Sequence, residues 1–542
     1  MPDTGITRRY NFTLTRAIIA PDGYEKSVIL VNNQFPGPMV EANWGDWIEV
    51  EVFNNIEEEE QGTAIHWHGN AASYLEKASL IGLERTSREL HGGILIIKVN
   101  TSMALSVQPN PLLKVKAIVI HGPEHQDYDV DLGTILLHDW RHKSFQEVDD
   151  QVLNVRITDL LNLPKLFNLL PVGDGNLING KSFTIGVCIF GIGPGCNQDY
   201  SSTPKWILEP GKRYKLRLLN VGGDGTQKFS VDNHNLSVIS TDFTQIEPYE
   251  TEIVTIGVGQ RQDVILTANA PTTIGAFWVR ANVAWCSLTW RGSALAAMFY
   301  SGADTTKMPT TDPHPDPFEL STTVLCGNDP IEMSKPWFPM DAEEPTTTLT
   351  FNNFYTINAT GYLKFSMAFP GSYSGNYTDP LLYKGVIENE QFTTGLEYDP
   401  NRALFNPDQV YDVGTNKTVR VVVNNPTFAQ NAHAMHLHGH DFYVLSNGAG
   451  VWDGTLNTRN PMRRDTQIVV PDGHLVFQYT VDNPGMWALH CHIPWHLADG
   501  LVVNFLEHRE EASKFLGMKE DIESVCNDWK PWVAAHPIND NN

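Results

Sequence analysis

Three segments of this chain share one pattern, a strand-like apolar run closing on asparagine: WIEVEVFNN (47–55), YKLRLLN (214–220) and TVRVVVNN (418–425). In the first, apolar and acidic residues alternate, as along a strand with one buried face. Eleven residues after Asn55 comes His66-Trp67-His68, and eleven after Asn425 comes His436-Leu437-His438. The middle copy runs on into FSVDNHNLSVI with no His-x-His. A second landmark repeats as well: GMWALHCH (485–492) has a metal-free counterpart in GAFWVRAN (275–282). The chain therefore reads as three related β-domains with metal ligands in the first and third. We place their boundaries near residues 130 and 310, the second beside the Pro-rich stretch MPTTDPHPDPF (308–318). Frequent Gly and Pro between short Val/Ile/Tyr-rich runs fit an all-β chain of 542 residues, too long for one core.

Three clusters carry the chemistry: IHWHG (65–69), HAMHLHGH (433–440) and HCHIPWH (490–496). Side chains alternate faces along a strand, so His490 and His492 point one way and Cys491 the other. His436 and His438 share a face, while His433, an odd number of residues away, reaches the opposite one. Cys491, His433 and His496 thus converge on one side and the paired histidines on the other. A thiolate with two imidazoles favours an electron-transfer copper, and imidazole-only ligation suits copper that meets oxygen. Leu501, ten residues after Cys491, stands where a weak axial ligand would be; it cannot coordinate, which favours reduced copper and a higher potential. His440 matches no ligand position and reads as structural. Trp67 and Trp495 read as packing.

These motifs, with NQFPGPMVEANWGDWIEVEV (33–52) and GVGQRQDV (257–264), resemble ascomycete laccases and laccase-like multicopper oxidases over nearly the whole chain except residues 70–117. The resemblance implies three tandem cupredoxin-like Greek-key β-barrel domains: 1–130, 131–310 without ligands, and 311–542 with the type 1 copper. It makes His433, Cys491 and His496 the type 1 ligands, His66 and His436 the type 2 ligands, and His68, His438, His490 and His492 four of six type 3 ligands. Cys491, His490 and His492 would then carry electrons, and Asp242, in ISTDF (239–243), would take the proton of a phenol near the substrate pocket. The implied reaction is one-electron oxidation of diphenols or a fungal phenolic metabolite coupled to reduction of O2 to water, with four coppers. Ferroxidase activity and a non-catalytic copper protein are the alternatives.

The chain departs from the family in the first domain, where a further His-x-His is expected about where Met103, Ala104 and Leu105 stand. Residues 71–117 hold no Asp, Trp or Phe and six Lys/Arg against three Glu, within a chain of net charge −25. A deletion would shorten this stretch, so we read it as a reading-frame slip after Gly69 that recovers near Val119. The alternative is a genuine sequence in a degenerate or repurposed protein, with an incomplete type 3 site.

The net negative charge argues against a nucleic-acid partner, and no apolar run is long enough to span a membrane. Cys188/Cys196 and Cys286/Cys326 are candidate disulfides; a family cysteine that would pair with Cys526 is missing from the foreign stretch. Sequons at Asn11, Asn100, Asn235, Asn358, Asn376 and Asn416 fit a glycosylated, secreted protein whose signal peptide is absent here. We expect a monomer.

Overall fold

The computed structural model describes most of residues 3–512; outside the description lie chiefly 57–62, 69–80, 84–91, 99–103, 109–116, 160–170, 184–199, 314–325, 374–380, 386–407 and the chain beyond 512. The structure is built almost wholly of strands. The three copies of the repeated segment occupy equivalent places. Trp47–Asn54 runs parallel to Thr7–Ile19 and antiparallel to Gly92–Lys98. Arg213–Asn220 runs parallel to Val130–Trp140 and antiparallel to Arg261–Thr267. Thr418–Asn425 runs parallel to Thr347–Asn352 and antiparallel to Gly473–Thr480. The closing asparagine is buried in the second and third copies, where its side-chain amide feeds loop carbonyls: Asn220 donates to Gly225 and Ile256, Asn425 to Val470. Those bonds satisfy loop backbone that would otherwise be buried without a partner, which explains why the motif ends in Asn.

Each half of the third unit is a five-stranded sheet. One has the order Thr347–Asn352, Thr418–Asn425, Gly473–Thr480, Phe442–Ala449, Met462–Arg464; the other Val410–Gly414, Val502–Glu507, Gly485–Cys491, His433–Leu437, Thr466–Val469. Their inner faces enclose one apolar core, among it Val421, Met435, Leu437, Phe477, Leu489, Cys491 and Phe505. The second unit repeats the plan with a six-stranded and a five-stranded sheet around Leu216, Leu218, Phe229 and Phe277. There Ala276–Val283 pairs with Gln227–Val231 as Gly485–Cys491 pairs with His433–Leu437, and Ala281 stands where Cys491 does. The cupredoxin-like, all-β architecture expected from the sequence is the one observed.

The helix Phe145–Leu153 joins the second unit to the third. Ser144 caps it, accepting from the Glu147 amide while the Glu147 carboxylate accepts from the Ser144 amide. Its Val148 is buried in the core of the third unit, beside the short helix Pro494–Ala498 that carries His496.

Gly439, directly after His438, adopts φ +71° with its missing Cβ position 2.6 Å from the Trp487 ring. Gly439→Ala is expected to lower the denaturant midpoint by the equivalent of about 1–3 kcal/mol. Gly211→Ala, at φ +85° but facing open space, is expected to cost less; equal losses would show that backbone strain rather than the Trp487 contact sets the effect.

Candidate metal centre

The antiparallel register opposes Met435 to Cys491 and His436 to His490. Strand alternation then sends Cys491 and His433 to one side and His436, His438 and His490 to the other. On the first side the Cys491 Sγ lies 3.5 Å from His496 Nδ1, which lies 3.3 Å from His433 Nδ1. All three residues are buried. His496 reaches the pair because Pro494, at the first turn of its helix, starts the turn immediately after the strand.

This donor set fits a soft cation. Burial pushes His433 down to about 3 and His496 well below its usual value, so both rings are neutral. Burial also pushes the Cys491 thiol up, so a thiolate here needs a positive partner. Two neutral ring nitrogens face one another, and His433 Nε2 has no hydrogen-bond partner. Thiolate plus two imidazoles selects copper of the electron-transfer type. Leu501 is fully buried in the same apolar cluster; its carbonyl accepts from the Cys491 amide and its amide donates to the His496 carbonyl. The Phe365 ring roofs the set, 4.4 Å from the His496 ring and 5.8 Å from the His433 ring.

On the other side His438 Nε2 and His490 Nε2 are 2.9 Å apart, with a nitrogen of His436 within 4.8 Å of each. His68 stacks on His436 at 4.0 Å and meets the edge of His492 at 4.7 Å, so strands from the first and third units close one cluster. Gly259, in the GVGQRQDV motif, is needed there: a Cβ would stand 2.7 Å from the His492 ring. His436 Nδ1 lies 2.9 Å from the Asp465 carbonyl, which directs Nε2 into the cluster. Arg261 holds Asp465 through two bonds of 2.7 and 2.6 Å. Burial pushes the Asp465 carboxyl up, but the charge and hydrogen bonds of Arg261, with those of His436, together outweigh it and hold the carboxyl well below the usual range. His440 is structural, donating to the His438 carbonyl and facing buried Glu507 at 3.2 Å.

The His66 side chain lies outside the described residues, as does Met103; the backbone of Thr63–His68 is described. It pairs with Ala104–Gln108, opposing His68 to Ala104 and His66 to Ser106. The neighbouring strand therefore reads Ala-Leu-Ser-Val-Gln beside the histidine pair and offers no imidazole.

The structure places Asp242, expected near the substrate pocket, in a buried ion pair. Its side chain is wholly buried, gripped by Arg464 Nε and Nη2 at 2.9 and 3.1 Å and by the Arg261 amide at 2.9 Å. A carboxylate so paired and shut from solvent has no access to a phenol. It sits on the histidine side, tying the second unit to the bend at Asp465 between Met462–Arg464 and Thr466–Val469.

A carboxylate that the sequence reading did not single out is Asp224, in the run Gly222-Gly223-Asp224-Gly225. It is partly exposed, accepts from Arg141 Nη2 at 3.3 Å, and interacts electrostatically with Cys491. Burial pushes it up to about 7, Arg141 pulling down and Asp139 pushing up. Three glycines around one acid were the available signal. Two have Cβ positions that would collide with Asp139, and the third faces the Trp495 ring at 3.3 Å.

Models of the multicopper oxidase family match residues 13–75, 131–303 and 377–511. The chain is 33% identical to the oxidoreductase OpS5 of Beauveria bassiana, over 98% of this chain and 87% of that one. It is 30% identical to laccase-2 of Botryotinia fuckeliana, over 98% and 88%. Among solved structures, the laccase from Botrytis aclada superposes with a TM-score of 0.83 at 26% identity, covering 99% of this chain and 94% of that one.

Arg464→Met would leave Asp242 charged and buried without its main partner, a loss of about 3–5 kcal/mol. Denaturant unfolding is expected to register it. Asp242→Asn is expected to lower stability while leaving the pH profile of phenol oxidation in place; a moved profile would return Asp242 to the substrate site.

Proposed function

Because the chain belongs to the multicopper oxidase family and is a copper oxidoreductase of the laccase type, we propose that it oxidises phenols one electron at a time beside Asp224. The observation that carries this reading is the partly exposed Asp224 carboxylate, held by Arg141, whose guanidinium lies over Trp495 of the helix that carries His496. Copper, when bound, supplies one-electron acceptance at the Cys491/His433/His496 set and reduction of O2 to water at the histidine set. His433, Cys491 and His496 are the type 1 ligands in this reading. His66 and His436 are the type 2 ligands, and His68, His438, His490 and His492 belong to type 3.

What the chain does follows from its own groups. A phenol that gives up an electron becomes strongly acidic, so an adjacent carboxylate that takes its proton lowers the cost of oxidation and leaves a neutral radical. Asp224, pushed up to about 7, is a better base than an ordinary carboxylate. Cys491 is covalently continuous with His490 and His492 through the backbone, which joins the two ligand sets by few bonds. Ferrous iron suits this rim less well, because Asp224 and Asp139 are already paired with the Arg141 guanidinium. We divide the chain near residues 130 and 310, and read it as monomeric and secreted. Exposed sequons at Asn11 and Asn235 support the last point, and no described helix is long and apolar enough to cross a membrane.

A second reading is favoured by the strand Ala104–Gln108: a copper protein that accepts electrons but completes oxygen reduction poorly. Neither Ala104 nor Ser106, beside the His66/His68 pair, replaces an imidazole. Metal analysis of the purified chain is expected to find the blue type 1 centre with less than the family's four coppers. A full complement with brisk oxygen uptake would remove the second reading. Sequencing the transcript across codons 69–119 shows which first domain the organism makes.

For phenol donors, kcat/KM is expected to rise with pH and level off above about 7, since the competent form of Asp224 is the carboxylate. Asp224→Asn is expected to abolish that rise and slow phenols by roughly a hundredfold, with ferrocyanide, which carries no proton, far less affected. Equal slowing of both donors would overturn the assignment.

A further inference from the structure

Arg141 is packed on every side by groups of defined position. Its Nε and Nη2 donate to the Pro171 carbonyl at 3.2 and 3.0 Å, Nη2 also to Asp224, and Nη1 to Asp139. Its guanidinium carbon lies over the Trp495 ring, 4.3 Å from the ring centre. Trp495 is buried and its indole N–H has no partner, so stacking rather than hydrogen bonding sets its place. The next residue is the ligand His496.

The loop Gly222–Gly225 closes the arrangement. Asp139 Oδ1 accepts from the Gly223 amide at 2.8 Å and the Asp224 amide at 3.3 Å. One acid therefore holds the loop backbone while Arg141 holds both that acid and the Asp224 side chain. The charged and titratable groups facing Asp224 are Arg141, Asp139 and Cys491.

We infer that Arg141 is a positioning residue for phenol oxidation, tying Asp224 through Trp495 to the helix that carries His496. The inference rests on the phenol reading above. The electron leaves the phenol toward the ligand set and the proton goes to the Asp224 carboxylate, so both acceptors must be held at one distance from the same O–H. A planar, five-donor guanidinium can stack and fork at once; an ammonium cannot. The chain thus spends an arginine on geometry rather than on binding an anion, and it favours donors that lose a proton with the electron.

The test uses the copper-loaded full chain, mixed anaerobically with 2,6-dimethoxyphenol or ferrocyanide while the blue band bleaches. Arg141→Lys keeps the charge and is expected to lower the phenol-to-ferrocyanide rate ratio roughly ten- to a hundredfold. Trp495→Leu, which removes the stacking face and leaves Arg141 intact, is expected to lower the ratio in the same direction. In an Asp224→Asn background Arg141→Lys is expected to add little further loss. In the copper-free protein, hydrogen exchange at the Gly223 and Asp224 amides is expected to quicken in Arg141→Lys. An unchanged ratio, or an additive loss in the double variant, overturns the role of Arg141. If Asp224→Asn alone leaves the ratio unchanged, the phenol-proton reading itself falls.

Discussion

The pairing of His433–Leu437 with Gly485–Cys491 decides what this protein can do. With Met435 opposite Cys491 and His436 opposite His490, two strands sort four donors, His433, His436, His490 and Cys491, onto two sides of one sheet. A slip of one residue would exchange the faces and mix thiolate with the imidazole cluster. The register is pinned from both sides, since Thr466–Val469 and Val502–Glu507 pair with the same two strands. Leu437, Leu489 and Met435 face the apolar core, so a slip would also turn that set outward.

Around this sheet the units are joined by buried charge. Arg261 comes from the second unit and Asp465 from the third, and Arg464 returns the pairing to Asp242. These ions are buried and closely paired, the condition under which such pairs hold one arrangement rather than merely add stability. Arg261 also lies 3.3 Å from His68 of the first unit. Three stretches of chain remote in sequence are thereby brought to the histidine cluster.

The first unit meets that demand incompletely. Its strand Thr63–His68 delivers His68 against His436, yet the strand paired with it contributes alanine and serine beside the histidines. The His433, Cys491 and His496 set draws nothing from that strand. The two ligand sets thus differ in their dependence on the first domain: one is wholly contained in residues 433–496, the other needs imidazoles from residues far upstream.

Much of this was legible in the sequence because the information is local. Period-two alternation around HCHIPWH and HAMHLH separates the two candidate ligand sets, and the Asn-terminated repeat announces three equivalent strands. The foreign composition of residues 71–117 also lies on the surface of the sequence. Which carboxylate is sealed and which stays partly open was not legible. Asp242 and Asp224 flank the same sheet of the second unit, and nothing local says that one is sealed by Arg464, 222 residues away, while the other stays partly open beside Arg141. Burial and ion pairing are properties of surroundings assembled from distant chain. The sequence by itself therefore determined the fold class and the two candidate ligand sets, through strand periodicity and family resemblance; the tertiary structure alone decided which carboxylate is sealed and which stays partly open, because their partners come from distant chain.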